Sequence, residues 1–333
     1  MKETIIISTS SKRVVILTNR EDLTADYVVV ELTKRNVPFF RFNTEDFPRD
    51  VSISFNLGKS RIEGQFKSSE LTLPFNEIKS VWYRRPGMPL FNHEVLNPGL
   101  KEYCIKESYY SLEGVWATID CFWVSDPFMI RKAENKPLQL NVASNIGFQI
   151  PQTLISTVPA DIKRFYEESD QNIVIKPVRS GGFKNKDEEK IIFTNSVTAQ
   201  DIAAIDSTVS LPSIYQAKIL KKYDIRVTVI GNNAYATEIH SQDYSDSVVD
   251  WRRGENPKLP HKKHKLPADI EGMCVALTKK LDLQFSAIDL VLSHDDIYYF
   301  LEINPNGQWA WIEERTGYKL TAALVDLLLC GRC

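Results

Sequence analysis

Residues 297–309 read IYYFLEINPNGQW, a β-branched and aromatic run that is interrupted by Glu302 and closed by Asn304-Pro305-Asn306-Gly307. Its first half has the composition of a buried strand, and the Pro and Gly that follow are strand terminators. A carboxylate buried there without a partner would be costly, so one is expected nearby. Side chains two apart on a strand share a face, which groups Glu302 with Asn304 and turns Ile303 away. The preceding apolar run, FSAIDLV at 285–291, reaches it through the polar turn SHDD at 293–296. Antiparallel pairing of the two runs brings Asp289 to the end that carries Glu302 and Asn304. These are three hard oxygen ligands with no His or Cys among them. Such a set suits Mg2+, which takes its remaining ligands from waters and nucleotide phosphates. A solvated hairpin with incidental charges is the alternative reading.

Phosphates require cations. Lys176 ends the strand-like run NIVIK and precedes PVRSGG at 177–182, a loop in which Gly181 and Gly182 let backbone N–H groups close over a phosphate. It is not a Walker loop. Lys136 stands near the start of an expected amphipathic helix over 131–146, with Leu138, Val142 and Ile146 at i, i+4 and i+8 and Pro137 in the first turn. The positive helix end would reinforce its ammonium against an anion, although an isolated lysine is more often just solvated. The backbone of the run through Gln216, Ala217 and Ile219 could pair with an adenine edge. Asp224 could then reach the ribose hydroxyls, and Arg226 the phosphates or an acyl phosphate. The order of the set carries more weight than any one member.

The chain has 333 residues, 43% hydrophobic and 25% charged, enough for two or three domains. Lys and Arg total 41 against 43 Asp and Glu, so a net charge of -2 gives no global attraction to nucleic acid or to an anionic membrane. Neither partner is expected. The amino terminus, MKETIIISTSSKR, lacks the apolar stretch of a signal peptide or span, and five cysteines are too few and too odd in number for a disulfide framework. A cytoplasmic protein is the expectation. Cys330 and Cys333 could form half of a zinc site, but no second pair stands at useful spacing.

Three segments are expected. Residues 1–122 open with a βαβ pattern (strand 13–18, helix 22–35, strand 37–42), whose first turn, NREDLT, has no glycine and so no dinucleotide signature. A hairpin over 51–56 and 64–73, a strand around VWYRRP and a helix over 98–119 complete it. Residues 123–212 read as small α+β. Residues 213–333 are strand-rich, with helices over 268–281 and 319–329.

The order lysine, lysine, hinge, Asp289 and Glu302-Ile-Asn304 resembles the ATP-grasp superfamily over nearly the whole chain. The stretches VVILTN, FFRFNTEDFP, VWYRRP, IRVTVIG and LEINPNGQW look most like graspetide synthetases, the microviridin-type peptide ligases. The resemblance implies an α/β and α+β multidomain fold, with a nucleotide cleft between the central and carboxy-terminal domains. It also implies ATP and Mg2+ as cofactors, and phosphorylation of an Asp or Glu side chain in a ribosomal precursor peptide with leader and core. That carboxyl passes to a Thr or Ser hydroxyl or a Lys amine, giving an ω-ester or ω-amide and ADP. Many ATP-grasp ligases carry Arg two residues before the first metal Asp, where this chain has Ala287. Arg226, Arg252 and Arg253 are therefore the candidates for steadying an acyl phosphate, and the latter two, adjacent in DWRRG at 250–254, could together bind an acidic peptide side chain bidentately or stand as an exposed loop pair.

Alternation turns one of Arg84 and Arg85 inward and the other outward, for substrate contact or for a structural ion pair. HKKHK at 261–265 is expected as a solvated loop, with a basic patch that attracts an acidic peptide as the alternative. The stretch 235–250, with Asp243 and Tyr244, offers either a peptide-docking edge or a surface loop. A homodimer is left open. Two alternative functions are a ligase of free amino acids or small carboxylates and a nucleotide-binding regulator without turnover.

Overall fold

The computed structural model describes residues 12–58, 62–91, 97–179, 182–185, 188–207, 211–253 and 259–331. The amino-terminal isoleucine run, Gly181, Gly254 and Cys333 lie outside the described residues. The chain divides into two compact units, Met1–Pro127 with Lys319–Cys333, and Phe128–Tyr318. The first break thus falls later than residue 122, and the closing helix joins the first unit instead of ending the third segment.

In the first unit β1 (Arg13–Thr18) lies between β2 (Phe39–Asn43) and β6 (Ile78–Tyr83), with β7 (Phe122–Val124) outside β6, all parallel. The turn after β1 is closed by a side chain: the Asp22 carboxylate accepts from Thr18 Oγ1 at 2.8 Å and caps α1 (Leu23–Lys34) through the Thr24 N–H at 3.1 Å. Strands β3 (Ser52–Leu57), β4 (Ile62–Lys67) and β5 (Thr72–Pro74) make a three-stranded antiparallel sheet where a hairpin was expected. Helix α2 (Pro98–Trp116) sends Trp116 into a core with Phe42 and Phe66, whose ring centroids lie 5.4 Å apart. The last helix of the chain, α9 (Leu320–Cys330), packs on α1, β6 and β7, and Ser80 Oγ donates to Leu328 O at 2.8 Å.

The second unit begins with α3 (Pro127–Ala133) and α4 (Lys136–Ile146) in place of one helix over 131–146. Asn135 separates them by capping α4, its side chain accepting the Leu138 N–H at 3.0 Å. The buried positions of α4 are Gln139, Leu140 and Ala143, so the 138/142/146 stripe is not the face that packs inward. Strand β8 (Thr153–Ser156), α5 (Pro159–Glu168) and β9 (Ile173–Pro177) follow. A ribbon of β10 (Gly182–Asn185) and β11 (Glu188–Ile191), then β12 (Asn195–Ser196), α6 (Ala199–Ala204) and β13 (Ser213–Ala217) complete this part, with sheet order β12-β9-β13-β8.

A five-stranded antiparallel sheet comes next, in order β16-β15-β14-β17-β18. It is built from β14 (Lys221–Ile230), β15 (Asn233–Ile239), β16 (His261–His264), β17 (Phe285–Ser293) and β18 (Tyr298–Asn304). Helix α7 (Ala268–Lys280) packs on β14, β15 and β17, and α8 (Ala310–Thr316) lies against β16. The HKKH segment is therefore an edge strand and not a loop. His264 Nδ1 is 2.9 Å from Glu238 Oε2, and its Nε2 is 2.7 Å from Tyr298 Oη. Cys104, Cys121, Cys274 and Cys330 are free thiols, and no helix among the described residues is long and apolar enough to cross a membrane.

Candidate active site

The β17–β18 register sets Asp289 opposite Glu302 and Ala287 opposite Asn304, with a bulge after Asp289. On the other side of β17, Arg226 stands opposite Asp289 and holds both its oxygens through Nη1, at 2.7 and 2.8 Å. Lys136, the first residue of α4, places Nζ 3.0 Å from Glu302 Oε2 and donates to Pro177 O at 3.3 Å. Lys176 is buried on β9 and donates to Gln216 Oε1 at 2.9 Å, and Gln216 in turn donates to Thr153 Oγ1 at 2.8 Å. Asn304 sits over both carboxylates, with Nδ2 at 3.3 Å from Asp289 and 3.4 Å from Glu302. Two carboxylates, an amide and three cations thus meet above three strands.

Burial dominates the electrostatics. It would raise the Glu302 carboxyl, but the charges of Lys136, Arg252 and Lys176 outweigh it and hold that group below the usual range. Asp289 goes the other way: burial raises it, with Arg226 opposing and Glu302 adding to the rise. Burial also lowers the Lys176 ammonium to about 8, against the pull of Glu302. The site is arranged to gain from an anion near its lysines and a cation between its carboxylates.

Gln139 locks this geometry, and sequence reasoning missed it. Its amide accepts the Ile303 N–H at 3.2 Å and donates to Ile303 O at 2.8 Å and Ala133 O at 2.7 Å. One side chain on α4 therefore pairs with β18 between Glu302 and Asn304, three residues after Lys136. The available signal was a polar residue between the apolar positions of α4. Gln139→Leu keeps the volume and strands the Ile303 groups, each costing about 1–3 kcal/mol when buried unpaired. We expect a thermal midpoint lower by roughly 5 °C or more. An unchanged melting curve would remove this structural role.

The remaining arginines separate. Arg252 forks onto Asp250, Nε at 2.8 Å and Nη2 at 2.7 Å, with Nη1 3.9 Å from Glu302 Oε1. Arg253 instead donates to Thr194 O at 2.7 Å and to Asn195. The pair expected to act together thus has one member at the carboxylates and one clamped to the neighbouring strand. Ala287 also has a physical reason: a Cβ on Gly307 would lie 2.3 Å from the Ala287 Cβ, so the loop after β18 closes directly over that position. No arginine fits there, and the guanidinium beside Asp289 is that of Arg226 on the adjacent strand.

The hinge is narrower than the sequence suggested. Ala217 donates its N–H to Gln152 O at 2.9 Å, and the next N–H, of Lys218, goes to Asn172 O. Ile219 lies half-buried in the link to β14. Asp224 is buried and held by Lys221 Nζ at 2.8 and 2.9 Å and by Ser241 Oγ, with burial still raising its carboxyl. It does not face open space as a ribose ligand would, because Lys221 closes on it. Asp243 and Tyr244 lie on short turns after β15, pinned by Ser247 Oγ donating to Ser241 O at 2.6 Å. In the first unit Arg84 is turned inward, its Nε 3.3 Å from Asp22, and Arg85 outward with its carbonyl accepting from Asn19.

Asp289, Glu302 and Asn304 fit Mg2+ by the chemistry of their donors, all of which can present oxygen once the Asn304 amide is flipped. Among the described residues no three His, Cys, Asp or Glu side chains form a metal cluster of their own. An ion here would draw its other ligands from phosphate and water.

Comparisons with known proteins agree with this fold. The chain is 29% identical to a RiPP-associated ATP-grasp ligase of Chryseobacterium gregarium, solved with ADP and a leader and core peptide, at a TM-score of 0.89 over 97% of both chains. It is 27% identical to the macrocyclase MdnC of Microcystis aeruginosa MRC, solved with the precursor peptide MdnA, at a TM-score of 0.83 over 95% of this chain and 98% of that one. The macrocyclase MdnB of the same organism is also 27% identical, at 0.79 over 96% and 100%. No curated protein sequence matches the chain. A model of the MvdD pre-ATP grasp domain matches residues 13–131. That of the RimK-like ATP-grasp domain matches residues 133–328, more than half of the chain, which therefore belongs to the RimK-like ATP-grasp family.

Proposed function

We propose that the protein is an ATP-dependent, ADP-forming peptide ligase that joins an Asp or Glu side chain of a ribosomal precursor peptide to a Thr or Ser hydroxyl or a Lys amine. The observation that carries this reading is the meeting of Lys136, Lys176 and Arg226 with Asp289, Glu302 and Asn304. Likeness over nearly full length to ligases solved with precursor peptides supports the peptide as substrate.

Lys136 and Lys176 contact the nucleotide phosphates in this reading, with a phosphate replacing Gln216 as the partner of the Lys176 ammonium and favouring its charged form against burial. Asp289, Glu302 and Asn304 would hold Mg2+, which when bound neutralises phosphate charge. A substrate carboxylate oxygen bonds to the terminal phosphorus of ATP as the bond to ADP breaks, and Arg226 balances charge beside the acyl phosphate. The hydroxyl or amine then attacks the carbonyl carbon, and phosphate leaves with the oxygen. The peptide loses the elements of one water per bond. Asp243 and Tyr244 remain candidates for holding the peptide, and a reducing cytoplasm supplies the ATP and leaves the thiols free.

The test is incubation with ATP, Mg2+ and a short Thr- and Glu/Asp-rich peptide encoded beside the enzyme, reading mass and ADP release. Loss of one water and gain of one ADP per bond is the expected result. ADP release only with free amino acids would shift the substrate to small molecules. Nucleotide binding without turnover on either would favour a regulator.

A further inference from the structure

Arg252 is held in an unusual way for a half-exposed side chain. Its partner Asp250 is buried at 5% exposure, and one carboxylate collects four N–H groups: Nε, Nη2 and the backbone N–H of Arg252, and the backbone N–H of Thr194. Two of the five guanidinium N–H groups are thereby fixed on an anchor that cannot turn to solvent. The fork sets the plane of the guanidinium, and Nη1 is left on the side of Glu302, 3.9 Å from Oε1. That separation is too long for a hydrogen bond, so Glu302 does not occupy the Nη1 donors. Lys136 approaches the same carboxylate through its other oxygen, so the two cations stand on opposite sides of Glu302.

We propose that Asp250 is a positioning residue that aims Arg252 Nη1 at the terminal phosphoryl group of the nucleotide, and so at the acyl phosphate formed from it. This rests on the ligase reading above. Arg252 touches the transferred group, whereas Asp250 acts only through Arg252. The backbone contacts of the Asp250 carboxylate hold the fork in place before any ligand arrives. Arg253, clamped on Thr194 and Asn195, steadies the same turn from outside.

The test is calorimetric titration of the full chain with Mg2+–ADP and with Mg2+–AMPPNP, which differ by the terminal phosphoryl group. Arg252→Met should weaken AMPPNP by roughly ten- to a hundred-fold while ADP stays within about twofold. Asp250→Ala should lose AMPPNP selectively by a similar or smaller factor, and Asp250→Asn, which keeps one acceptor, should recover part of it. In the double variant the loss should equal that of Arg252→Met alone, because a residue acting through Arg252 has nothing left to act on. Retained ADP affinity within each variant shows that the site is still folded. Full AMPPNP affinity in Arg252→Met, or losses that add in the double variant, would overturn the proposal. A wild-type protein that binds neither nucleotide would overturn the ligase reading itself, and this proposal with it.

Discussion

Glu302→Gln is expected to give a folded protein that still binds nucleotide but turns over about a thousandfold more slowly. Glutamine matches glutamate in shape, and β18 is held at that point by Gln139 through the Ile303 backbone, which the substitution does not touch. What changes is charge. Lys136, Lys176 and Arg252 all act on this carboxylate, and without it Arg252 keeps Asp250 while the two lysines are left with only Asp289, itself committed to Arg226. The ligand-free protein should lose some stability for that reason. Nucleotide phosphates would restore the balance, so ADP binding in the absence of Mg2+ should be kept or strengthened. Turnover should not recover, since a carboxylate ligand to the metal is worth several kcal/mol of transition-state charge stabilisation, and ~4 kcal/mol is about a thousandfold in rate. The measurements are ADP release with peptide, thermal midpoint, and ADP affinity with and without Mg2+. A well-folded Glu302→Gln enzyme with normal turnover would sink the assignment of this group as a metal ligand.

The parts of the site that could be read from the sequence are those set by local periodicity. Alternation on one strand groups Glu302 with Asn304, and a short polar turn limits where Asp289 can land, so the convergence on paired strands needs no knowledge of the sheet. Lys176 is similarly marked by its place at the end of an apolar run. Contacts that depend on sheet order or on another element were not legible. Gln139 reads as a surface position because the apolar stripe 138/142/146 points elsewhere, and only the approach of β18 makes 139 an inward site. HKKH carries the composition of a solvated loop, yet β15 offers it an edge to pair with. Asp224 looked available until Lys221, three residues earlier on the same strand, closed on it. The closing helix was legible as a helix, but its membership was not, since nothing local says that residues 320–330 return to pack on α1 and β6.

Gly307→Ala is expected to lower both stability and turnover, and its logic returns to the motif that ends β18. The turn Asn304-Pro305-Asn306-Gly307 closes with the Gly307 N–H donating to Asn304 O at 3.2 Å, and fully buried Trp309 fixes the chain just beyond it. The backbone of Gly307 is thereby pressed onto the sheet. A methyl group there would stand 2.3 Å from the Ala287 Cβ, 2.7 Å from Arg226 Nη2 and 3.4 Å from the Asn304 Cβ. Ala287 is fully buried on the strand between β14 and β18 and has no rotamer to change, so the first contact cannot be relieved by a side chain. Either the turn lifts, carrying Asn304 with it, or β17 shifts, carrying Asp289. Overpacking of this kind costs about 1–3 kcal/mol, or roughly 2–12 °C in the midpoint of a domain this size. Displacing a ligand or Arg226 by about 1 Å is enough for a hundredfold loss of rate. Ala287→Gly removes the closest contact, so the double variant Gly307→Ala/Ala287→Gly should regain part of the midpoint. It should regain less of the turnover, because the 2.7 Å approach to Arg226 persists. If Gly307→Ala alone melts and turns over like the wild type, the turn is not seated on β17 as tightly as these distances require. If the double variant recovers rate fully but not stability, Arg226 can move without harm and its place beside Asp289 is not essential to the reaction.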